Sequence, residues 1–339
     1  MVDVLIAGIV AMVISIAAGP RFIRFLRLRE YGQPIREHGP AGHFVKQGTP
    51  TMGGLLVVFA AAIPFLILSK YSTPALCVFT LVVGCASIGF LDDYIKLTHK
   101  RSLGLSGRWK LLLLAILTAI VGWVAHHRHF STDLYLPVID GKIPLSWAWY
   151  PFLFLIIAGA ANGVNLTDGI DGLAAGTGII AIFTFTAMTV IAFIRSGPPG
   201  HRSTVYLDLS IIGAGLIGAL VGFLWYNAFP AEVFMGDTGS MAIGGALAGF
   251  AIMTKTEFLL LLVGGIFLLE ALSVIVQVGS FKYWGRRVFL MTPIHHHFEM
   301  KAWSETKIMV RFWIFTAILC ACGFALYYRY YFRFFRGHG

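Results

Sequence analysis

The chain has 339 residues, of which 58% are hydrophobic and 12% charged, and its net charge is +10. The mean hydropathy of +0.79 excludes an ordinary soluble domain. Apolar stretches of about 20 residues, the length that a helix needs to cross a bilayer, recur along the whole chain. We therefore expect an all-α polytopic membrane protein, folded as one domain over residues 1–339. Little mass remains outside the membrane, so any chemistry must lie in loops and at helix ends.

The hydrophobic pattern predicts ten transmembrane helices. They cover residues 3–19, 52–70, 74–95, 109–126, 147–163, 173–194, 206–226, 238–254, 257–280 and 307–327. The ninth contains the pair Gly264-Gly265, which predicts a kinked helix. Between the fourth and fifth spans, residues 136–145 predict a small hairpin that turns at Asp140-Gly141.

The distribution of basic residues predicts the orientation of the chain. Three loops, which begin near Pro20, Asp92 and Phe281, hold 17 of the 26 Lys and Arg residues. Loops rich in Lys and Arg remain in the cytoplasm. These loops are therefore predicted to be cytoplasmic, and the even number of spans places both termini outside. The basic C-terminal tail opposes this orientation without outweighing it.

Five aspartates end up on the predicted cytoplasmic side, each at the end of an apolar run: Asp92, Asp93, Asp168, Asp171 and Asp237. Acidic groups beside a bilayer are costly, and they are functional candidates by default. Several carboxylates on one face indicate a divalent-metal site and a phosphate-bearing substrate. An ion-coupled transporter would instead carry its acids near mid-membrane. Only Glu270 is placed there, either as a hydrogen-bonded interhelical acid or as the wall of a polar cleft.

Asp92 and Asp93 end the third span. Neighbouring residues of a helix point about 100° apart, so the two acids are expected to do different jobs. One would face a metal or accept a proton, and the other would hydrogen-bond a neighbouring loop. Lys96 follows Asp92 by four residues and Asp93 by three, so it can pair with either acid on the helix surface. With Lys100 and Arg101 it forms a basic patch suited to phosphate.

Two further segments carry the remaining aspartates. Asp168 and Asp171 are three residues apart and share a face if their segment is helical. Asn165 and Thr167 add neutral hydrogen-bonding groups beside them. The segment Gly236-Asp-Thr-Gly-Ser240 opens the eighth span. Its backbone N–H groups are able to bind an anion, or it presents Asp237 to a cation.

Three consecutive histidines, His295, His296 and His297, lie in the last predicted cytoplasmic loop. Three neighbours cannot easily ligate one ion from a single helix or strand. A site rich in carboxylates favours a hard cation such as Mg2+ over zinc. The imidazoles are then expected to hydrogen-bond phosphate or to orient carboxylates. Lys46, before the second span, supplies a further cation at the membrane surface.

Taken together and in this order, the motifs resemble those of the polyprenyl-phosphate N-acetylhexosamine-1-phosphate transferases. The motifs are Asp92-Asp93, Asn165-Leu-Thr-Asp168-Gly-Ile-Asp171-Gly, Met235-Gly-Asp237-Thr-Gly-Ser240 and Pro293-Ile-His-His-His-Phe-Glu299. The histidine run and the segment Lys46-Gln-Gly-Thr-Pro-Thr-Met-Gly-Gly54 are similar to the branch that transfers phospho-N-acetylmuramoyl-pentapeptide. The resemblance covers the whole chain.

The resemblance implies a reaction and its participants. Undecaprenyl phosphate would attack the β-phosphate of UDP-N-acetylmuramoyl-pentapeptide and displace UMP, either directly or through a covalent enzyme intermediate. Mg2+ would be the cofactor. The lipid bilayer of a bacterial inner membrane would be the environment, with no nucleic-acid partner, and a homodimer is left open. A sister transferase that uses UDP-N-acetylglucosamine is the alternative, and the three-histidine loop argues against it.

The resemblance also implies roles for individual residues. The catalytic residues would be Asp92, Asp93, Asp237 and His295. Asp237 would bind the metal, and Asp92 would activate the lipid phosphate with support from Asp93. The residues lining the nucleotide-sugar pocket would be Lys46, Thr51, Asn165, Asp168, Asp171, Asn227 and Phe234, with Phe234 available to stack on uracil. Further substrate contacts would come from Lys96, Lys100, His296 and His297, with His297 mattering least to catalysis.

Overall fold

The computed structural model describes residues 1–29, 48–99, 104–136 and 141–331. Within these residues the chain forms α-helices and one small sheet. The helices are α1 (Val2–Leu28), α2 (Gly54–Leu68), α3 (Thr73–Thr98), α4 (Gly107–His127), α5 (Trp149–Thr167), α6 (Leu173–Arg195), α7 (Thr204–Asn227), α8 (Gly236–Met253), α9 (Leu260–Val263), α10 (Gly265–Trp284), α11 (Ile294–Glu299) and α12 (Glu305–Leu326).

Eight helices of the described residues are long and apolar enough to cross a membrane, which supports a multi-pass membrane protein. They are α1, α3, α4, α5 with the 3-10 turn before it, α6, α7, α10 and α12 with the turn after it. The other two predicted spans coincide with α2, which has 15 residues, and α8, which has 18. The count of ten spans and the side of the termini stay predictions.

The helix α8 forms the centre of the bundle. Every residue from Thr238 to Met253 is buried, and α3 and α5 pack directly on it. Gly89 of α3 allows a very close approach, because a Cβ atom there would lie 2.2 Å from the Asp237 carbonyl oxygen. Small residues allow helices to pack this closely in a membrane. The contact sets the C-terminal end of α3 beside the first turn of α8.

The predicted hairpin between α4 and α5 is present. Strand β1 (Asp133–Leu136) pairs antiparallel with β2 (Gly141–Pro144), and Leu136 lies opposite Gly141. The prediction of a turn centred on Asp140-Gly141 is wrong, because Gly141 already belongs to the second strand. The connection consists of residues 137–140, which lie outside the described part of the chain.

The predicted ninth span is divided at Gly264 into the short α9 and the longer α10. After α10 the chain turns at Gly285, whose φ of +63° is left-handed. It then runs back along α10 toward α11. The three histidines therefore do not extend away from the membrane helices in a free loop.

Two polar side chains of α10 hold this returning segment. The Gln277 side-chain oxygen accepts hydrogen bonds from the backbone N–H groups of Val288 and Phe289, both at 3.0 Å. Its amide nitrogen donates to the Phe289 carbonyl at 2.9 Å. The Ser280 hydroxyl donates to the Arg286 carbonyl, also at 2.9 Å. These contacts satisfy backbone groups that would otherwise need water, and they fix where α11 begins.

Candidate active site

Three of the five aspartates meet at one end of the bundle. Each of Asp92, Asp93 and Asp237 offers a carboxylate oxygen, and these oxygens lie within 4.8 Å of one another. Asp92 and Asp93 lie in the last turns of α3, and Asp237 lies in the first turn of α8. The site is therefore built on helix ends more than on the loops that the sequence favoured.

Two lysines bridge Asp92 and Asp237. The Lys96 ammonium lies 2.6 Å from Asp92 Oδ2 and 3.2 Å from Asp237 Oδ1. The Lys110 ammonium lies 3.1 Å from Asp92 Oδ1 and 2.7 Å from Asp237 Oδ2. Of the two acids that the spacing allowed as partners of Lys96, the structure shows an ion pair with Asp92. We call these four residues the Asp–Lys ring.

Asp93 points away from this ring and binds backbone. Its carboxylate accepts hydrogen bonds from the N–H groups of Asp237 at 3.1 Å and Thr238 at 3.0 Å. The Thr238 hydroxyl adds a third at 2.7 Å. The carboxylate therefore satisfies free N–H groups at the start of α8. The prediction that the two neighbouring acids do different jobs is confirmed, and the N–H groups that the sequence offered to a substrate anion are already bonded to Asp93.

Asp92 is almost completely covered, with 1% of its surface exposed. Besides the two lysines, its Oδ1 atom accepts a hydrogen bond of 2.7 Å from the N–H of Leu105. An ionised carboxylate is tolerable at such a depth only with partners of this kind. The two lysines and the Leu105 N–H therefore fix the orientation of the Asp92 carboxylate.

Asp168 extends the acidic group from the loop that follows α5. Burial, together with the negative charges of Asp237 and Asp93, raises the pKa of its carboxyl to about 8, although a hydrogen bond from the Gly236 backbone lowers it. A carboxyl beside other carboxylates resists ionisation unless a cation is present. The acids at this end thus carry more negative charge than the two lysines neutralise.

Asp171 and Asn227 join two loops of the same end. An oxygen of Asp171 accepts a hydrogen bond of 3.0 Å from the Ala231 N–H. The Asn227 side chain accepts one of 3.1 Å from the Gly172 N–H and donates one of 2.9 Å to the Val233 carbonyl. Both residues are buried. Their observed bonds brace the loops, and their contact with a substrate stays a prediction.

The remaining pocket residues lie around the start of α8. The Asn165 amide donates to the Ser240 hydroxyl at 3.0 Å and so ties α5 to α8. Phe234 is partly exposed, and its backbone pairs with Pro50 and Gly53 at 2.8 and 2.9 Å. Thr51 is buried in this pairing. Lys46 and Lys100, both predicted to bind substrate, lie outside the described residues.

Each of the three histidines has a different partner. His295 is fully buried, and its Nδ1 atom lies 3.0 Å from Oε1 of Glu270. The Nδ1 atom of His296 bonds to Glu299 in the next turn. The Nδ1 atom of His297 accepts a hydrogen bond of 3.1 Å from the Leu290 N–H. Burial and the charge of Lys301 lower the pKa of His297, so this ring is neutral and serves the backbone of the returning segment.

Sequence reasoning missed the parts played by Lys110, Thr238 and Glu299. For Glu270 it left open a hydrogen-bonded interhelical acid and the wall of a polar cleft, and the contact with His295 agrees with the first. Lys110 was counted only as a basic loop residue, although it opens the span that follows Asp92 and so had to lie on the same face. Thr238 looked like a continuation of the Asp237 motif. Glu299, three residues after His296, was detectable from the spacing of a helical pair.

The comparisons with known proteins agree with this fold and site. A model of Glycosyl transferase family 4 matches residues 75–255, more than half of the chain. The matched part holds α3 to α8, with all five aspartates. The chain is thus a membrane-bound member of that class of transferases.

A narrower assignment follows from whole-length similarity. Residues 46–58 match the Phospho-N-acetylmuramoyl-pentapeptide-transferase signature 1. A protein of that name from Rubrobacter xylanophilus is 42% identical over 335 residues, which cover 97% of this chain and 98% of the relative. One from Pelobacter propionicus is 45% identical over 326 residues, covering 92% and 89%. The chain belongs to the phospho-N-acetylmuramoyl-pentapeptide-transferase family.

Proposed function

We propose that this protein transfers phospho-N-acetylmuramoyl-pentapeptide from its UDP-linked form to undecaprenyl phosphate. The products are UMP and undecaprenyl-diphospho-N-acetylmuramoyl-pentapeptide, the first lipid intermediate of peptidoglycan synthesis. Family membership supports this substrate pair. The observation that carries the chemistry is the Asp–Lys ring, which holds two carboxylates and two ammonium groups at the ends of membrane helices.

The reaction needs little covalent chemistry from the protein. An oxygen of the lipid phosphate forms a bond to the β-phosphorus of the UDP-sugar. The bond from that phosphorus to the bridging oxygen of the α-phosphate breaks, and UMP leaves with the electron pair. Positioning and charge neutralisation dominate catalysis of such transfers. Lys96 and Lys110 supply positive charge, and Asp92 accepts a proton from the lipid phosphate or orients it.

Mg2+ is the cofactor that we propose, held by Asp237. The donor set fits this ion, because carboxylate oxygens are the ligands that hard cations prefer, and Asp92, Asp93 and Asp237 offer oxygens that lie within 4.8 Å of one another. When bound, Mg2+ neutralises the phosphate charge that develops during transfer. Asp93 fixes the first turn of α8 and thereby the position of Asp237.

The other predicted residues complete the proposal. Phe234, partly exposed, is available to stack on uracil. The remaining substrate contacts are assigned to Lys46, Thr51, Lys100, Asn165, Asp168, Asp171, Asn227, His296 and His297, with His295 beside the reacting phosphates. We further propose that the protein lies in the bacterial inner membrane with this end in the cytoplasm, where the nucleotide substrate is. A homodimer stays a prediction.

The test is UMP release by the purified protein in detergent with undecaprenyl phosphate and Mg2+. We expect release with UDP-N-acetylmuramoyl-pentapeptide and none above background with UDP-N-acetylglucosamine. Omission of the lipid phosphate should also abolish release. Equal turnover of the two UDP-sugars would refute the substrate assignment, and UMP release without lipid phosphate would refute the acceptor.

A further inference from the structure

Glu270 is an acid within a membrane helix whose partner lies far along the chain. It is in the second turn of α10, and its Oε1 atom is 3.0 Å from Nδ1 of His295 in α11. Neither side chain has any exposed surface. An acid at such a position is a functional candidate once its partner is known. The return of the chain along α10 brings the two residues together.

We propose that Glu270 is a positioning residue for His295, and that it fixes the imidazole in the tautomer with the proton on Nδ1, so that Nε2 faces the loop carrying Asp168 and Asp171. This inference rests on the proposed transferase function for its kinetic consequence. The tautomer itself is a property of the folded protein alone.

The tautomer follows from the chemistry of the two groups. An ionised carboxylate is only an acceptor, so the Nδ1 atom that contacts it must donate and carry the proton. The Nε2 atom is then the one that accepts from a substrate group when the ring is neutral, or donates when it is charged. His297 is held the opposite way, because its Nδ1 atom accepts a backbone hydrogen bond. His295 and His297 are thus held in opposite tautomers, with the ring proton on Nδ1 in the first and on Nε2 in the second.

The Nε2 atom of His295 lies against the Asp168–Asp171 loop. A Cβ atom on Gly169 would be only 2.4 Å from Nε2. Among the described residues, Nε2 has no hydrogen-bond partner. Glycine at position 169 therefore allows the loop backbone to pack directly against the ring nitrogen of His295 that Glu270 does not contact. This contact fixes the position of the Nε2 atom relative to the Asp168–Asp171 loop.

Stability alone is a poor account of the pair. Burying two ionisable groups costs free energy that their mutual attraction only partly returns, and apolar residues of similar volume often stabilise as well or better. A carboxylate that orients a histidine, in contrast, acts through the direction and protonation of the ring. The same arrangement, a carboxylate on Nδ1, recurs beside it in His296 and Glu299.

The first experiment reads the tautomer by 15N NMR of histidine-labelled wild-type protein. The chain has 11 histidines, so the His295 signals are identified by their loss in His295→Gln. We expect a protonated Nδ1 in the wild type at a pH where the ring is neutral. A proton on Nε2 instead would overturn the proposal, whatever the enzyme's activity and whether or not any Glu270 variant folds.

The second experiment measures kinetics of Glu270→Gln, whose neutral amide is able to accept from or donate to Nδ1. We expect kcat to fall about tenfold to hundredfold, with the KM for the UDP-substrate changing less than about threefold. The matched control is Asp208→Asn, another fully buried acid changed to its amide. Unchanged kcat in Glu270→Gln, or an equal fall in both variants, would overturn the proposal. A wild type without any UMP release would instead refute the proposed function and leave the NMR test standing.

Discussion

Asp93 and Asp208 solve the same structural problem in two regions of the protein. Asp93 of α3 accepts N–H groups of Asp237 and Thr238 at the start of α8. Asp208 of α7 accepts those of Lys70 and Ser72 in the turn between α2 and α3, both at 2.8 Å. Each is a buried carboxylate that satisfies two backbone donors of a neighbouring segment.

The surroundings of the two acids differ. Asp93 has other acids beside it, and the charge of Asp237 reaches both Asp93 and Asp168. Asp208 has only the backbone donors of its turn as its observed partners in the described chain. A buried acid is thus compatible with a purely structural role. The region where we propose chemistry differs because several acids lie close together there, with two lysines between Asp92 and Asp237.

The largest effect expected from this contrast is that of Asp237→Asn. The variant keeps the shape of the side chain and removes the charge that both lysines and the proposed Mg2+ contact. UMP release should fall at least about hundredfold to thousandfold, as when a central electrostatic group is removed from an active site. The measurement is initial rate at saturating Mg2+. Retention of most of the wild-type rate by a folded Asp237→Asn protein would contradict the proposal.

Asp92→Asn should act mainly on kcat. If Asp92 accepts the proton of the lipid phosphate, its loss should lower kcat about hundredfold or more. The KM for the UDP-substrate should change little, because the observed partners of Asp92 are Lys96, Lys110 and the Leu105 N–H and not groups of the Asp168–Asp171 loop. Steady-state kinetics separate the two parameters. A wild-type kcat with a raised KM would make Asp92 a binding residue.

Gly169→Ala should have an intermediate effect. The added methyl group would stand 2.4 Å from Nε2 of His295 and must displace the ring or the loop. We expect activity to fall about tenfold, the cost of a misplaced group of roughly 1.4 kcal/mol. The matched control is Gly159→Ala in α5, where an added Cβ meets nothing within 4 Å. Equal activity of both variants would show that the contact does not matter.

Asp208→Asn should affect stability and leave catalysis alone. Its amide keeps one acceptor for two backbone N–H groups, so the free energy of unfolding should fall by about 1–3 kcal/mol. Thermal unfolding in detergent measures the loss, and kinetics at a temperature where the variant is folded should equal those of the wild type. A change in kcat of the folded variant would show that Asp208 also affects catalysis and would contradict the difference from Asp93.

The smallest expected effect is a pH dependence of stability from Asp168. Folding raises its carboxyl pKa from 3.8 to about 8. The folded protein therefore binds more protons than the unfolded chain between these values. The contribution of this group to stability is full below pH 3.8 and is lost as pH rises through about 8. In EDTA, Tm should fall between pH 6 and 9 less steeply in Asp168→Asn than in the wild type. If the Tm of the two proteins falls in parallel with pH, the close approach of Asp168 to the other acids is contradicted.

Much of this architecture was predictable, because its causes are local in sequence. Hydropathy located the membrane helices, and the Asp140-Gly141 turn signal indicated the hairpin between α4 and α5, although not the position of its turn. The 100° step between neighbouring residues of a helix predicted different roles for Asp92 and Asp93. The four-residue spacing of Lys96 and Asp92 allowed their ion pair, while the three-residue spacing from Asp93 left that acid as an alternative partner.

The rest depends on contacts between distant segments. Lys110 reaches Asp92 and Asp237 because α3 packs tightly on α8, and nothing in its own neighbourhood signals this. Glu270 meets His295 only because Gln277 and Ser280 hold the returning chain on α10. In the sequence, Gln277 and Ser280 look like ordinary polar residues of a membrane helix. A prediction of the pair would have required the path of the chain between residues 285 and 293.

The most direct test of the central claim is a titration of metal-free protein with Mn2+, followed by electron paramagnetic resonance of the free ion. Mn2+ is a spectroscopic substitute for Mg2+ and prefers the same oxygen ligands. The account predicts a saturable site in the wild type and in Asp208→Asn that is lost in Asp237→Asn. Equal Mn2+ binding by all three proteins would contradict a metal site at Asp237.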